Sequence, residues 1–195
     1  MPDSSSKIIV IVAPSGAGKT TIARRLVSEF EKVKFSVSAT TRPARAHEVN
    51  GQDYYFLSPE EFQSRVDNNE FLEWQEVFNH YRYGTLRSVI ENQLDKGYFP
   101  LLDVEVYGAL NVKEQFGQRC ISFFIKPPSL EILRHRLMSR GTETDHSISY
   151  RLERAQKELE LAPTFDHIII NDQLDRAYNE IKHILQPFLL KSQTD

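Results

Sequence analysis

A glycine-rich segment near the amino terminus, residues 13–21, limits the possible folds of this chain more than any other stretch. It reads Ala-Pro-Ser-Gly-Ala-Gly-Lys-Thr-Thr, and the apolar, β-branched residues 7–12 precede it. A short apolar run of that kind predicts a buried parallel strand. Apolar residues in the following segment, 22–30, recur at helical spacing. The order strand, glycine-rich turn, helix is the context of a phosphate-binding P-loop.

The physical chemistry of this segment suits a phosphate group. Backbone N–H groups of residues 15–20 would surround the anion, and a helix beginning near Lys19 would point the positive end of its dipole at it. Gly16 and Gly18 permit the backbone angles of such a loop and keep Cβ atoms away from the phosphate. Lys19 would reach the β- and γ-phosphates of a nucleotide, and the Thr20 hydroxyl would bind Mg²⁺.

The first position of the motif departs from the usual pattern, because Ala13 stands where a glycine is common. That position is the one least close to the phosphate. The alternative is an ordinary strand-to-helix turn that contains two glycines, and a Gly-Lys-Thr triplet in register between strand and helix argues against it. The predicted nucleotide-binding residues of the loop are Ala13, Pro14, Ser15, Gly16, Ala17, Gly18, Lys19, Thr20 and Thr21.

Composition excludes several classes of protein. The chain has 195 residues, 40% hydrophobic and 26% charged, which is enough for one globular domain with a full core. A net charge of -3 provides no broad basic field, so no nucleic-acid partner is predicted. The polar first six residues lack a signal-peptide core, and no apolar stretch is long enough to span a bilayer, so no membrane partner is predicted. The single cysteine, Cys120, is predicted to be a reduced core residue. These features favour a cytoplasmic protein and leave its oligomeric state open.

A small β-rich insertion is predicted after the first helix. Alternation at Phe35 and Val37 predicts a strand, Asn50-Gly51 predicts a hairpin turn, and Ser58 predicts a helix N-cap. The insertion covers residues 34–85, with further strands predicted at 54–57 and 71–78 and a hairpin partner at 81–85.

Regular alternation of helices and strands follows the insertion. Helices are predicted at 86–96, 107–116, from 129 onward, at 148–161 and at 174–190, with strands at 99–104, 120–125 and 165–170. Such alternation predicts an α/β fold with a mostly parallel sheet flanked by helices on both faces.

Asp103 ends a predicted buried strand, at the edge where ligands gather in parallel sheets. A carboxylate there could serve Mg²⁺ as a Walker B acid does. The alternative is an N-cap for the following helix, a position that aspartate also favours. The P-loop in the same chain favours the metal role.

Two further groups of polar residues could contact phosphate or base. The first group could neutralise a transferring phosphoryl group from a closing lid, although a solvated basic face is the commoner explanation of scattered arginines. Its members are Arg134, Arg136, Arg140 and Arg151.

The second group lies in the insertion, where arginines and tyrosines could hold a monophosphate and a glutamate could accept from two donors on a base edge. The candidates are Ser38, Arg42, Arg45, Tyr54, Glu73, Tyr83 and Thr85. Singly, each is more often a surface residue.

Several segments, in order along the chain, resemble guanylate kinase. With the P-loop they are Phe-Ser-Val-Ser-Ala-Thr-Thr-Arg-Pro-Ala-Arg at 35–45, Glu-Val-Asn-Gly-Gln-Asp-Tyr-Tyr-Phe at 48–56, Asn-Asn-Glu-Phe-Leu-Glu-Trp at 68–74, Tyr-Gly-Thr at 83–85, Leu-Leu-Asp-Val-Glu at 101–105, Arg-Gly-Thr-Glu-Thr at 140–144 and Ile-Ile-Asn-Asp at 169–172. The likeness covers roughly residues 7–190. One departure is Tyr107, where the family often has glutamine.

The resemblance implies a P-loop kinase domain over 1–195 with a core of 1–33, 86–128 and 160–195, a GMP-binding insertion at 34–85 and a lid at 129–159. It implies that Arg42, Arg45, Tyr54 and Tyr83 hold the GMP phosphate, and that Ser38, Glu73, Thr85 and Glu105 read the base. Asp103 would also face the substrate, and Asn171 would lie near the adenine of ATP. The implied catalytic residues are Lys19, Arg42, Arg136, Arg140 and Arg151.

The function implied is transfer of a phosphoryl group from ATP, with Mg²⁺, to GMP and also dGMP, in purine nucleotide metabolism. Two rivals remain: a non-catalytic guanylate-kinase-like scaffold, and a P-loop kinase for another phosphorylated small molecule. The lysine and threonine of the P-loop argue against the first, and Ser38 with Glu73 against the second.

Overall fold

The computed structural model describes residues 6–76, 80–139 and 145–191. Its strands are β1 (Ile8–Val12), β2 (Val33–Phe35), β3 (Ala39–Thr40), β4 (Tyr55–Phe56), β5 (Phe71–Glu76), β6 (Arg82–Leu86), β7 (Phe99–Asp103), β8 (Cys120–Lys126) and β9 (His167–Ile170). Its helices are α1 (Lys19–Glu29), α2 (Pro59–Asp67), α3 (Arg87–Asp95), α4 (Val106–Phe116), α5 (Leu130–Met138), α6 (Asp145–Glu160) and α7 (Leu174–Lys191). Short 3₁₀ helices cover Gly117–Arg119 and Ala162–Thr164.

The central sheet has the order β2-β7-β1-β8-β9, and every neighbouring pair of strands is parallel. One face of the sheet packs against α1 and α7, and the other packs against α3 and α4. All five residues of β1 are buried, as a central strand covered on both faces requires. The predicted α/β fold, with a parallel sheet flanked by helices and a P-loop after its first strand, is confirmed.

The neighbouring strands β1 and β7 bring two predicted site segments together. Asp103 is the register partner of Ile11, and the P-loop begins directly after β1. Since parallel strands end at the same edge of a sheet, the carboxylate lies beside the loop. Asp103 is not the N-cap of α4, because Glu105 takes that position. The N-cap alternative for Asp103 is therefore wrong.

The insertion forms a second, mixed sheet with the order β4-β3-β6-β5. β5 and β6 are antiparallel, which confirms the predicted pairing of residues 71–78 with 81–85 over the described part of those segments. The sheet packs on Phe62 of α2, whose ring stacks on Phe71 of β5 at a centroid distance of 4.4 Å. Ser58 caps α2 as predicted, with its side chain accepting from the Glu61 N–H.

The prediction of one strand through Phe35 and Val37 is wrong. β2 ends at Phe35 in the central sheet, and the Ser36 N–H donates to the Leu101 carbonyl at 2.9 Å. The chain then crosses to the second sheet, where β3 begins at Ala39. Alternation in sequence records which side chains share a face, but it does not record a change of sheet.

The prediction of a hairpin at Asn50-Gly51 is also wrong. The two residues do form a tight turn, in which Gly51 has a φ of +79° and its N–H donates to the Tyr54 carbonyl at 2.8 Å. The strand that follows, β4, lies parallel to β3, so the turn belongs to a loop between parallel strands.

The predicted lid region contains α5 and α6, which pack on each other through Leu133, Leu137, Ile148 and Ala155. Ser129 caps α5 as expected, accepting from the Ile132 N–H at 3.1 Å. α6 begins at Asp145, earlier than the predicted start at residue 148. Arg140 lies outside the described residues. The boundaries of core, insertion and lid stay a prediction.

Cys120 is buried in β8, as predicted for a core residue. Burial raises the pKa of its thiol to about 12, so the side chain stays protonated near neutral pH. Among the helices of the described residues, none combines the length and the apolar character that crossing a membrane requires.

Candidate active site

A cleft of about 990 Å³ separates the P-loop edge of the central sheet from the second sheet, and α6 forms another of its walls. Its lining combines P-loop residues with residues from each of the other predicted groups. Predicted residues that line it are Ala13, Pro14, Ser15, Gly16, Gly18, Lys19, Thr20, Thr21, Ser38, Tyr54, Glu73, Tyr83, Asp103, Glu105 and Arg151. One cavity therefore brings the P-loop and Asp103 together with part of the predicted GMP-binding group. Predicted residues that do not line it are Ala17, Arg42, Arg45, Thr85, Arg136 and Asn171.

The P-loop has the backbone that its glycines allow. Gly16 and Gly18 have φ angles of +93° and +99°, a conformation that other residues adopt only with strain. α1 begins at Lys19, so the unpaired N–H groups of its first turn lie at the loop. The Lys19 ammonium donates to the Asp103 carboxylate. An ammonium has three donors, so this ion pair leaves others for phosphate oxygens.

Asn171 contacts the P-loop backbone. Its side chain is buried, and its amide nitrogen donates to the Ala17 carbonyl at 2.7 Å. A Cβ at Gly18 would collide with the same amide nitrogen, so only glycine fits there. Arg136 in turn donates to the backbone carbonyl of Asn171 at 2.9 Å. Both side chains therefore support the loop in this structure, and a contact of Asn171 with adenine stays a prediction.

Glu73 and Thr85 are paired across β5 and β6. Glu73 is 7% exposed and Thr85 is 1% exposed, and the Thr85 hydroxyl donates to Glu73 Oε1 at 2.6 Å. Burial raises the pKa of the Glu73 carboxyl, against the hydrogen bonds from Thr85, which lower it. A buried carboxylate with one oxygen anchored is a defined acceptor for donors in the cleft.

Arg42 is held by four hydrogen bonds within the insertion. Its two terminal nitrogens donate to the Glu48 carboxylate at 2.7 and 2.9 Å, one of them also donates to the Pro43 carbonyl at 2.8 Å, and Nε donates to the Tyr83 hydroxyl at 3.2 Å. Its guanidinium lies 5.3 Å from the Tyr54 ring centre. A guanidinium has five N–H groups, so these four hydrogen bonds leave one N–H of Arg42 unused.

Glu48 is the main partner of Arg42, and the sequence did not single it out. Its side chain is 7% exposed, and besides Arg42 it accepts from the Arg45 backbone N–H at 2.7 Å. Arg45 itself is exposed. These bonds hold the pKa of the Glu48 carboxyl at about 2, below its ordinary 4.5, chiefly through Arg42. The regular spacing of Arg42, Arg45 and Glu48 is the signal that could have found it.

Replacing Glu48 by glutamine is expected to change how stability depends on pH. The folded-state pKa is depressed, so the ionised form stabilises the fold above about pH 4.5, and this contribution is lost as the pH falls toward 2. Urea unfolding of wild-type and E48Q protein at about pH 6 and about pH 3 measures it. The difference in the free energy of unfolding between wild-type and E48Q protein should be smaller at about pH 3 than at about pH 6.

A matched control for E48Q is E91Q, since Glu91 lies on the exposed surface of α3. E91Q should follow the wild type at both pH values. If the free energy of unfolding of E48Q and wild type falls by the same amount between the two pH values, Glu48 does not make the proposed charge contact with Arg42.

Helix α6 contacts the core at two points of the cleft. Arg151 donates to the Ser15 hydroxyl of the P-loop at 2.6 Å. Arg154 donates to the Glu105 carboxylate and also to Glu158 Oε1, the latter at 2.8 Å. Burial raises the pKa of the Glu158 carboxyl, partly offset by Arg154. The predicted lid arginine Arg151 thus lies against the phosphate-binding loop.

Several residues lining the cleft were not singled out from the sequence: Gln75, Tyr150, Arg154 and Glu158. Arg154 and Glu158 are four residues apart on α6, a spacing that predicts a helical ion pair but not a place in a cleft. No pattern in the sequence indicated the contact of Arg154 with Glu105, because it joins two distant helices.

The P-loop follows the central strand of a parallel sheet, an acid lies on the neighbouring strand, and polar residues of the second sheet line the same cleft, which is the arrangement of a P-loop kinase of small phosphorylated substrates. The family model named Guanylate kinase matches residues 5–187, and the chain belongs to the guanylate kinase family. Phosphorylation of GMP is the known reaction of this family.

Individual relatives agree with the family model. The chain is 48% identical to a guanylate kinase of Salinibacter ruber over 97% of its own length and 99% of the relative. It is 44% identical to a guanylate kinase of Bacteroides thetaiotaomicron over 96% of this chain and 92% of the relative. A crystal structure of guanylate kinase from Anaplasma phagocytophilum is 35% identical, has a TM-score of 0.72, and the match covers 93% of this chain and 85% of that one.

Proposed function

We propose that this cleft transfers the γ-phosphoryl group of ATP to GMP, and to dGMP, giving ADP and the guanosine diphosphate. The observation that carries the proposal is the buried, anchored carboxylate of Glu73 in the same cavity as the P-loop lysine. The family of the chain supports the same reaction. A phosphate site alone would fit any P-loop protein, whereas a buried carboxylate opposite it restricts the base of the acceptor.

The acceptor base is read by hydrogen bonds in this proposal. Guanine offers N1–H and N2–H₂ side by side, and an ionised carboxylate can accept from both. Adenine has an unprotonated N1 at that place, so the Glu73 carboxylate would face a lone pair. Ser38 also lines the cleft, and Thr85 lies beside Glu73, so their hydroxyls can complete the contacts. Glu105 lines the cleft too, with Arg154 as its partner.

The acceptor phosphate belongs, in this proposal, near Arg42, Tyr54 and Tyr83, which lie together in the insertion. Arg45 is close along the chain, and its exposed side chain can supply a second guanidinium. An oxygen of this phosphate attacks the γ-phosphorus in line, and the bond from that phosphorus to the β,γ-bridging oxygen breaks, leaving ADP. No strong base is needed, since a phosphate monoester is already anionic near neutral pH.

Charge neutralisation is the main task left to the protein. Lys19 and the α1 N-terminus would bind the β- and γ-phosphates, and Arg151 lies at the same loop through Ser15. Arg136 supports that loop through Asn171, and Arg140 remains a predicted lid arginine. Closure of the cleft would exclude water and so limit hydrolysis of ATP.

The oxygen atoms at the loop fit Mg²⁺. Thr20 and Asp103 both line the cleft, and Mg²⁺ is commonly bound by one or two protein oxygens together with phosphates and waters. Within the described residues, no group of three or more His, Cys, Asp or Glu side chains is placed to hold a metal ion. When bound, Mg²⁺ would neutralise charge on the transferring phosphoryl group.

A coupled assay of ADP release tests the proposal. The purified protein is given ATP and Mg²⁺ with GMP, dGMP, AMP, CMP or UMP in turn. We expect rapid turnover with GMP and dGMP, and a kcat/KM for the other three lower by roughly 10⁴-fold or more. No turnover with GMP would favour the scaffold alternative, and equal turnover with another nucleotide would show that the base is not read as proposed.

Location and assembly are outside this assay. The cytoplasmic location and the absence of nucleic-acid and membrane partners, expected from composition, stay predictions, and GMP and ATP are the proposed small-molecule partners.

A further inference from the structure

Gly108 leaves space that the Glu73 side chain occupies. It is the third residue of α4, and a Cβ built on it would lie 2.6 Å from Glu73 Oε2 and 3.1 Å from both Cδ and Cγ of the same residue. These are the three heavy atoms nearest to the missing side chain. Cβ contacts shorter than 3.0 Å essentially never occur, so even a methyl group at position 108 would displace the carboxylate.

The backbone does not explain this glycine. Gly16 and Gly18 have positive φ angles, whereas Gly108 is absent from the positive-φ residues and lies within a helix. Alanine is a better helix former than glycine at such a position. The local sequence preference and the observed residue therefore conflict, and contact with Glu73 is the feature that accounts for the conflict.

The carboxylate has little room to move away. Oε1 accepts from the buried Thr85 hydroxyl at 2.6 Å, while Oε2 lies against Gly108. The pairing of Glu73 with Thr85 fixes its backbone in β5. A displaced Oε2 would therefore require the side chain to rotate about its own bonds, which would turn the carboxylate plane and stretch or break the bond to Thr85.

We propose that Gly108 is a specificity-determining positioning residue: its lack of a side chain sets the orientation of the Glu73 carboxylate and, through it, the preference for guanine. This inference rests on the proposed role of Glu73 as the guanine acceptor. Gly108 acts on the base only through Glu73. Displacing a binding group by about an ångström can lower the reaction rate about 100-fold. Adding one methyl group at position 108 is therefore expected to change the kinetics with GMP measurably.

The test compares G108A with wild type and with N111A, a control that adds alanine at an exposed position of the same helix. For G108A we expect the KM for GMP to rise about 10- to 100-fold, the GMP-over-AMP preference to fall, and the KM for ATP to change less than about 2-fold. The Tm of G108A should stay within about 5 °C of wild type, because the better helix propensity of alanine opposes the cost of displacing the buried carboxylate. N111A should keep wild-type kinetics. Loss of folding in G108A, or GMP kinetics within about 2-fold of wild type, would overturn the inference.

A double variant separates this inference from the proposed function. E73A removes the atoms that a methyl group at position 108 would meet, so adding G108A to E73A should change the GMP kinetics by less than about 2-fold. An equal further loss in the double variant would overturn the role of Gly108, because the effect would not pass through Glu73. If E73A alone leaves the GMP-over-AMP preference unchanged, the proposed role of Glu73 fails, whatever G108A does.

Discussion

Replacing Lys19 by alanine is expected to lower turnover at least about 100-fold while the protein still folds. Lys19 lies at the first position of α1 and lines the cleft, so its ammonium is fixed where negative charge develops during transfer. Removing one preorganised donor of this kind costs about 10²- to 10³-fold in kcat. The ammonium also neutralises Asp103, so K19A leaves that carboxylate without its partner and should raise the KM for MgATP.

The measurement is steady-state ADP release with GMP and ATP, accompanied by circular dichroism to establish that the fold is kept. A matched control is K96A, because Lys96 is exposed at the end of α3 and far along the chain from the P-loop. K96A should keep wild-type kinetics. A folded K19A enzyme with near-normal kcat would contradict the assignment of this loop as the catalytic phosphate site.

Replacing Glu73 by glutamine is expected to change substrate choice more than any other single substitution. The amide keeps the shape of the side chain, but it presents an N–H₂ where the carboxylate presents an acceptor. One guanine donor then meets another donor inside a pocket where Glu73 is 7% exposed. A site in which the wrong substrate leaves a buried polar group unpaired rejects that substrate by about 10⁴- to 10⁵-fold in kcat/KM. We therefore expect E73Q to lose most of the preference for GMP over AMP.

The readouts for E73Q are the KM values for GMP and ATP and the kcat/KM ratio of GMP to AMP. The KM for GMP should rise sharply, and the KM for ATP should change little, because Glu73 belongs to β5 of the second sheet whereas the P-loop follows β1 of the central sheet. E91Q makes the same chemical change on the exposed surface of α3 and should keep wild-type KM and kcat/KM values. Unchanged GMP kinetics, or an equal loss in ATP binding, would show that Glu73 does not read the base.

The parts of this molecule that the sequence predicts well depend on short-range pattern. The strand, turn and helix around Lys19 follow one another directly, and glycines at 16 and 18 mark the backbone that the loop needs. The parallel central sheet follows from alternating strands and helices, because connections through helices return the chain to the same edge. Residue roles in the insertion came from likeness to a family, since each residue alone fits an ordinary surface.

The parts that the sequence does not predict depend on contacts between distant segments. The Arg154 contact with Glu105 joins α6 to the start of α4, and the Asn171 contact with Ala17 joins β9 to the P-loop. Gly108 and Glu73 come into contact only because β5 packs against α4, and the sequence does not show that packing. Hydrophobic periodicity specifies which face of an element is buried, but it carries no information on which side chains meet across a cleft.

In the proposed complex, one cleft holds GMP with its base at Glu73 and its phosphate at Arg42 and Arg45. A crystal structure of the protein with GMP would show whether the nucleotide binds in this way. We expect guanine N1 and N2 each within about 3.2 Å of the Glu73 carboxylate, with the phosphate bound by Arg42 and Tyr83. GMP bound elsewhere, or bound here with its base turned away from Glu73, would contradict it.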